Sequence, residues 1–354
     1  MAHRPVENTA PAAARQAAAT DNNKARAGQR WINCMRGILA AACQVASPQP
    51  RVPRRRGRPC SASLLAGWLG LASLQGCAWL DERQRQIALR PSATPAGAEA
   101  AMAWRPGDER LLLASTQAPA ERIALWWLPQ TDPAAPTLLY LHGTLRTLYG
   151  NVPKIEALRA AGFSILAVDY RGWGDSSAIV PSEASILADA WQAWAELQRR
   201  QPDPARRVLF GHSMGSAVAV SLASQLRHGR DYGALALEAA FTRLPDVAAE
   251  AGFWGRIGAA VTTLQFDSAS RIAQVDAPVW MLHGDADATV PVVLGRRLRD
   301  AARPGVHWVE FPGGSHSRLH QDDPARYLLA FRDLQAALRP AAFPTSNLPG
   351  TPRP

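Results

Sequence analysis

Val208-Leu209-Phe210-Gly211-His212-Ser213-Met214-Gly215-Ser216-Ala217-Val218-Ala219-Val220 joins a short apolar run to a stretch of small residues through a Gly-x-Ser-x-Gly pentapeptide. The apolar run reads as a buried strand, and the small residues read as a helix packed close to a sheet. A turn sharp enough to lift the Ser213 hydroxyl above the sheet edge brings strand and helix backbones nearly into collision. No Cβ fits two residues before or after such a serine, and Gly211 and Gly215 stand at those places. The same turn would set the Met214 backbone N–H at the positive end of the new helix, facing any developing oxyanion. A plain glycine-rich turn that only starts a helix has the same letters, so partners elsewhere must decide.

Outward from this turn the chain alternates strand and helix patterns. Leu111 to Ala114 and Ile123 to Trp127 read as an antiparallel pair, followed by strands at Thr137 to Leu141, Ser164 to Asp169, Val208 to Phe210, Ala234 to Leu237, Pro278 to Leu282 and His307 to Phe311. Helical stretches lie between them at Lys154 to Ala161, Ser182 to Arg200, Ser216 to Arg227, Val292 to Ala302 and Pro324 to Leu338. Six apolar runs separated by helices predict a parallel sheet covered on both faces, an α/β architecture. No repeat and no second domain is visible.

In such a sheet the functional groups gather beyond the carboxyl ends of the strands. One strand runs into His283-Gly284-Asp285-Ala286-Asp287-Ala288-Thr289-Val290-Pro291, and the last runs into Pro312-Gly313-Gly314-Ser315-His316. Either aspartate could instead be a turn or cap residue before Pro291. Of the other histidines, His142 and His283 close strands before glycine and are expected to bond loop backbone. His212 flanks Ser213 but is expected to point away from it. Only His316 sits in a glycine-preceded loop after the final strand, where a general base belongs.

The order Ser213, Asp287, His316 resembles that of nucleophile, acid and base in the α/β-hydrolase superfamily. The resemblance covers about residues 105 to 338 and implies a mostly parallel eight-stranded sheet with helices on both faces and a small lid. The HGxxDxxVP form places the acid at Asp287, with Asp285 as its rival. By likeness to HG-x loops, Leu141-His142-Gly143-Thr144 would supply a second oxyanion donor, the Thr144 N–H, beside that of Met214. Asp169-Tyr170-Arg171-Gly172-Trp173-Gly174-Asp175-Ser176 resembles the structural turn after the next strand, although Trp173 could touch substrate.

From this resemblance follows acyl transfer to water: Ser213 attacks, His316 carries the proton, and Asp287 stabilises the imidazolium. No cofactor or metal is expected, since neither nucleotide-binding glycines nor HExxH occurs. About 35 residues separate Thr242 from Ala277, room for two short helices rather than a large lipase cap. This resembles the short-lid branch of dienelactone-hydrolase-like and serine-aminopeptidase-like proteins, with carboxylic esters favoured and thioesters or small amides open. A lipid-anchored binding or scaffold protein that keeps the fold without turnover is the alternative from another class.

Composition, at 47% hydrophobic and 19% charged, is ordinary for a packed globular chain. The net charge of +10 is concentrated at one end: residues 1–77 hold 11 of the 39 Lys+Arg and 2 of the 29 Asp+Glu. The nearly neutral remainder lacks an electrostatic footprint for nucleic acid. Cys34, Cys43, Cys60 and Cys77 also lie in that segment, so the body can form no disulfide.

Five arginines between Arg51 and Arg58 precede an uncharged run from Pro59 to Leu80, a basic region followed by an apolar one, as in signal peptides. The apolar stretch Ser61 to Leu74 is shorter than the roughly 20 residues of a spanning helix. It ends in Leu74-Gln75-Gly76-Cys77, which resembles the lipobox of bacterial lipoproteins and implies lipidation of Cys77. Ala40-Ala41-Ala42-Cys43 is a weaker rival, with few apolar residues before it. The expected organisation is a disordered leader over 1–50, or sequence upstream of a start near Met35 or Val52. A signal peptide follows over 51–76, then a tether over 77–100, a hydrolase-like domain over 101–339 and a proline-rich tail over 340–354. The implied location is the bacterial cell envelope, at the periplasmic side of the outer membrane by the Ala78 sorting pattern. The partners are then a small acyl substrate and a membrane, and the sequence leaves the oligomeric state open.

Overall fold

A computed structural model describes residues 78–338; the leader, the signal peptide with Cys77 and the 340–354 tail lie outside them. Eight strands form one sheet: β1 Glu109–Ala114, β2 Arg122–Leu128, β3 Thr137–Leu141, β4 Ser164–Asp169, β5 Arg207–His212, β6 Ala234–Glu238, β7 Val279–Gly284 and β8 His307–Phe311. Their order is β8-β7-β6-β5-β3-β4-β2-β1. Only β2 runs against its neighbours, pairing antiparallel with both β1 and β4. This is the mostly parallel eight-stranded sheet of the α/β-hydrolase fold, as expected.

Helices α1 Leu148–Ala160, α2 Glu183–Arg200, α3 Met214–Ala223, α4 Leu244–Ala249, α5 Phe253–Val261, α7 Pro324–Ala337 and, before that last one, α6 Val292–Ala301 connect or flank the strands. The two faces follow from the period-2 alternation of strand side chains. Leu139, Leu141, Leu209, Leu235 and Met281 meet Ile186 and Trp194 of α2, Val218 and Leu222 of α3 and Leu294 of α6. Their neighbours Leu138, Tyr140, Val208, Phe210 and Ala236 meet Ile155 and Leu158 of α1 and Phe331 and Leu334 of α7 on the other side. Trp126, Trp173, Trp194 and Trp280 are all buried among these residues. The link from β6 to β7 holds the short helices α4 and α5 and one further helical turn at Ala269–Ile272, one more than the two short helices its length suggested.

Two expectations are corrected. Helix α1 begins at Leu148 rather than at Lys154, and Pro153 sits inside it. A proline reads as a helix start because it cannot donate within the ladder, but here the Leu148 N–H is capped by Asp169 Oδ1 at 3.0 Å. Burial of Leu148 and Tyr149 anchors the extra turn. The second correction concerns residues 78–100, read as a tether. Residues 78–89 are helical, Leu89 is buried in the core, and Arg85 reaches the Val180 and Pro181 carbonyls at 3.2 and 3.3 Å. Ser92–Ala93 then pairs in parallel with Trp173–Gly174. The folded unit therefore starts before residue 101; alanine- and proline-rich composition hid one apolar anchor.

Candidate active site

Ser213 caps α3 with φ 55° and ψ −123°. A non-glycine residue in this region costs about 1–3 kcal/mol and persists only where its surroundings impose it. Those surroundings are close-packed backbone. A Cβ on Gly211 would collide with the Gly215 peptide, and one on Gly215 would collide with the Leu141 and His142 carbonyls. The Ser213 N–H is tied to the Glu238 carbonyl at 2.9 Å. The two glycines thus permit the approach of α3 to β5 and β3 that their spacing implied.

The structure brings Ser213, His316 and Asp287 together at the carboxyl ends of β5, β7 and β8. His316 Nε2 lies 3.0 Å from Ser213 Oγ, and Nδ1 lies 2.7 Å from Asp287 Oδ2. Asp287 Oδ1 accepts the Thr289 and Val290 amides, each at 2.8 Å, so the carboxylate is fixed on both sides. Burial works to raise the Asp287 pKa, but facing His316, nearby His283 and the Val290 amide outweigh it. The carboxyl is held well below the usual carboxylate range, ionised beside the imidazole. Asp285, by contrast, is exposed and accepts the Gly313 amide at 2.6 Å. It braces the loop that carries His316 without reaching the ring.

The amides of Thr144 and Met214 have no hydrogen-bond partner among the described residues. Thr144 lines a groove with Ser213 and His316. Trp173 is buried and donates Nε1–H to the Thr144 carbonyl at 3.1 Å, so it holds the loop from behind. His142 and His283 bond loop carbonyls, of Gly143 at 2.6 Å and Val290 at 2.9 Å, as expected.

His212 departs from expectation. Instead of pointing away, its ring lines the groove, 5.1 Å from the His316 ring, with Nε2 3.0 Å from the His316 carbonyl. As the last residue of β5 it faces the loop after β8, which lies three strands away in the sheet but folds back over the strand ends. Burial first, then Lys154 and His316, push its pKa well below the ordinary value. The ring is therefore neutral, and Nε2–H donates to His316.

Two features carried no motif to announce them. Arg146 lines the same groove, and its guanidinium has no ion-pair or hydrogen-bond partner among the described residues. Beneath the turn, buried Lys154 of α1 and Tyr327 of α7 both bond the Glu238 carboxylate. No group of side chains suited to a metal ion, and no helix long and apolar enough to cross a membrane, occurs among the described residues.

The sheet order, the strained serine turn and the convergence of strand-end loops define the class of fold, and comparison with known proteins agrees. Residues 132–265 match the family model for serine aminopeptidase, S33. The chain is 34% identical over 237 residues to an uncharacterised protein of Mycobacterium tuberculosis, covering 66% of this chain and 81% of that one. It is 31% identical over 194 residues to the lysophosphatidylserine lipase ABHD12 of Danio rerio, covering 51% of this chain and 50% of the relative. The chain thus spans about half the length of that lipase. Among solved structures it is similar to a Pyrococcus furiosus esterase, with TM-score 0.55 and 15% identity over 70% of this chain and 96% of the other. An esterase from Rhodococcus sp. gives TM-score 0.51 and 19% identity, covering 65% and 99%. At such identities these structures speak for the fold alone. The chain belongs to the α/β-hydrolase superfamily and is a hydrolase.

Proposed function

We propose that this hydrolase cleaves carboxylic esters through an acyl-enzyme on Ser213. The observation that carries the reading is the continuous chain from Asp287 Oδ2 through both His316 nitrogens to Ser213 Oγ, at 2.7 and 3.0 Å. His316 Nε2 takes the Oγ proton as Oγ attacks the ester carbonyl. The unpartnered Met214 and Thr144 amides receive the oxyanion, and Asp287 stabilises the imidazolium. His316 then protonates the departing alkoxide. Water, deprotonated by the same nitrogen, releases the acid and restores Ser213. Small amides are the second reading, favoured by the family model's description; an alkoxide leaves more readily than an amine and asks less of the site.

A fluorophosphonate probe tests the reading, since it labels only an activated serine. Wild-type protein should label, and Ser213→Ala should lose at least about 10⁴-fold in ester turnover together with all labelling. Equal labelling of both would move the nucleophile away from Ser213, and no labelling of either would leave a non-catalytic binding protein. Because an anchor at Cys77 would place the enzyme in the cell envelope, the labelled band should then appear in the membrane fraction. A soluble band carrying an unmodified Cys77 would refute the anchor without touching the chemistry.

Arg146 narrows the substrate. Among the described residues no acidic side chain lines the groove with it, and its neighbour Leu145 is half exposed. A free cation and an apolar side chain beside the nucleophile suit an amphiphilic ester with a negative group near the scissile bond, consistent with the name of the lysophosphatidylserine lipases. Arg146→Gln should lower kcat/KM for an anionic ester about tenfold more than for a neutral ester of the same acyl chain, as expected for loss of a charged hydrogen bond at an accessible site. Equal losses on both esters would remove Arg146 from recognition.

A further inference from the structure

Glu238, the last residue of β6, is fully buried, and so are Lys154 and Tyr327, which converge on its carboxylate. Lys154 Nζ bonds Oε1, and the Tyr327 hydroxyl donates to Oε2 at 3.0 Å. Lys and Glu are almost never buried to this degree unless paired. A buried ion pair is a poor source of stability, since apolar residues of similar volume serve as well or better. The pair therefore calls for another explanation.

Its surroundings supply one. The main-chain carbonyl of Glu238 holds the Ser213 N–H at 2.9 Å, and the next residue, Ala239, has φ 52° with its N–H on the Leu282 carbonyl at 2.9 Å. Two left-handed non-glycine residues, Ser213 and Ala239, thus flank a single hydrogen bond. Strain of this kind survives only where neighbouring structure imposes it. The Glu238 side chain is tied to α1 and α7 on the far side of the sheet, which stops the carbonyl from relaxing. His212 Nε2 lies 4.0 Å from Glu238 Oε1 while donating to the His316 carbonyl. One buried residue thereby holds the nucleophile turn through its carbonyl and brings its carboxylate within 4.0 Å of the His212 ring that supports the His316 loop.

We infer that the Lys154–Glu238–Tyr327 network is a positioning device that holds the Ser213 turn and the His316 loop in reactive register. The inference rests on the ester-hydrolase reading of Ser213. None of the three residues meets substrate; they act through the Glu238 carbonyl and through His212.

The test separates positioning from stability. The triple variant Lys154→Met, Glu238→Leu, Tyr327→Phe replaces the whole network by apolar groups of similar volume and leaves no buried charge unpaired. Its thermal midpoint should match or exceed that of the wild type. Its kcat should nevertheless fall about 10- to 100-fold with KM within about twofold, and the fluorophosphonate labelling rate should fall in parallel, because small displacements at a distance cost that much. Wild-type kcat and labelling in a folded triple variant would overturn the inference. Should the triple variant not fold, Tyr327→Phe decides, since it removes a single oxygen atom. Its kcat should drop about threefold or more at unchanged KM, and an unchanged kcat would equally overturn the proposal. Absence of Ser213-dependent labelling in the wild type is a different failure and removes the hydrolase reading itself.

Discussion

Asp287→Asn is expected to lower kcat by about 10⁴-fold without unfolding the protein, whereas Asp285→Asn leaves kcat within about threefold. The asymmetry follows from which atoms are already committed. Asp287 Oδ1 accepts two amides at 2.8 Å, and an asparagine carbonyl can take over that duty. Its NH₂ is then turned toward His316 Nδ1, the position that the carboxylate Oδ2 holds at 2.7 Å. A donor there forces the imidazole proton onto Nε2, which removes the lone pair that must accept from Ser213. Geometry survives and the tautomer is reversed. At Asp285 the one side-chain bond among the described residues is the Gly313 amide on Oδ1, which an asparagine carbonyl also accepts. Steady-state turnover of a short-chain ester, with circular dichroism as the folding control, checks both variants; similar losses at the two positions would refute the assignment.

Gly215→Ala should cost at least about 2 kcal/mol of stability, and most of the activity with it. Helix propensity alone points the other way, since alanine is favoured over glycine inside a helix by about 1 kcal/mol. Packing wins because the added methyl meets the Leu141 and His142 carbonyls, which are backbone atoms of β3 and its exit. No side chain can rotate aside, so α3 and β3 must separate. That separation moves the Met214 amide away from the Thr144 loop, which leaves β3 three residues further on. The thermal midpoint should fall by about 5 °C or more. An unchanged midpoint and turnover would show that the two backbones do not approach as described.

Features written in local sequence were legible. The two glycines around Ser213 announce the close approach of α3 to β5 and β3, and the period-2 geometry of a strand assigns successive residues of Leu138-Leu139-Tyr140-Leu141 to opposite faces of the sheet. The acid and base candidates stood out because strand ends are easy to recognise; the HGxxDxxVP form favoured Asp287 over Asp285, and the contact with His316 separates the two in space. What stayed hidden depends on contacts between distant segments. Lys154 sits among charged and apolar helix residues and looks like part of a solvated face; its burial follows from Glu238 arriving 84 positions later. Arg146 belongs to no pattern, and the direction of the His212 ring depends on where the β8 loop settles. Composition misled at residues 78–100, where a single buried leucine outweighs alanines and prolines.

The distances along the chain between the reacting groups also bear on how the protein acquires reactivity. Ser213 and His316 are 103 positions apart, and His316 and Asp287 are 29 apart, yet each pair meets within hydrogen-bond range. Contacts of such long range are entropically costly and form late. The serine turn leans on Glu238 of β6, which α1 and α7 hold in place, and on the ester-hydrolase reading it has its base only when β7 and β8 stand at the sheet edge. On that reading chemical reactivity is a property of the completed sheet, and a fragment without β7 and β8 would carry the serine turn's residues but no turnover.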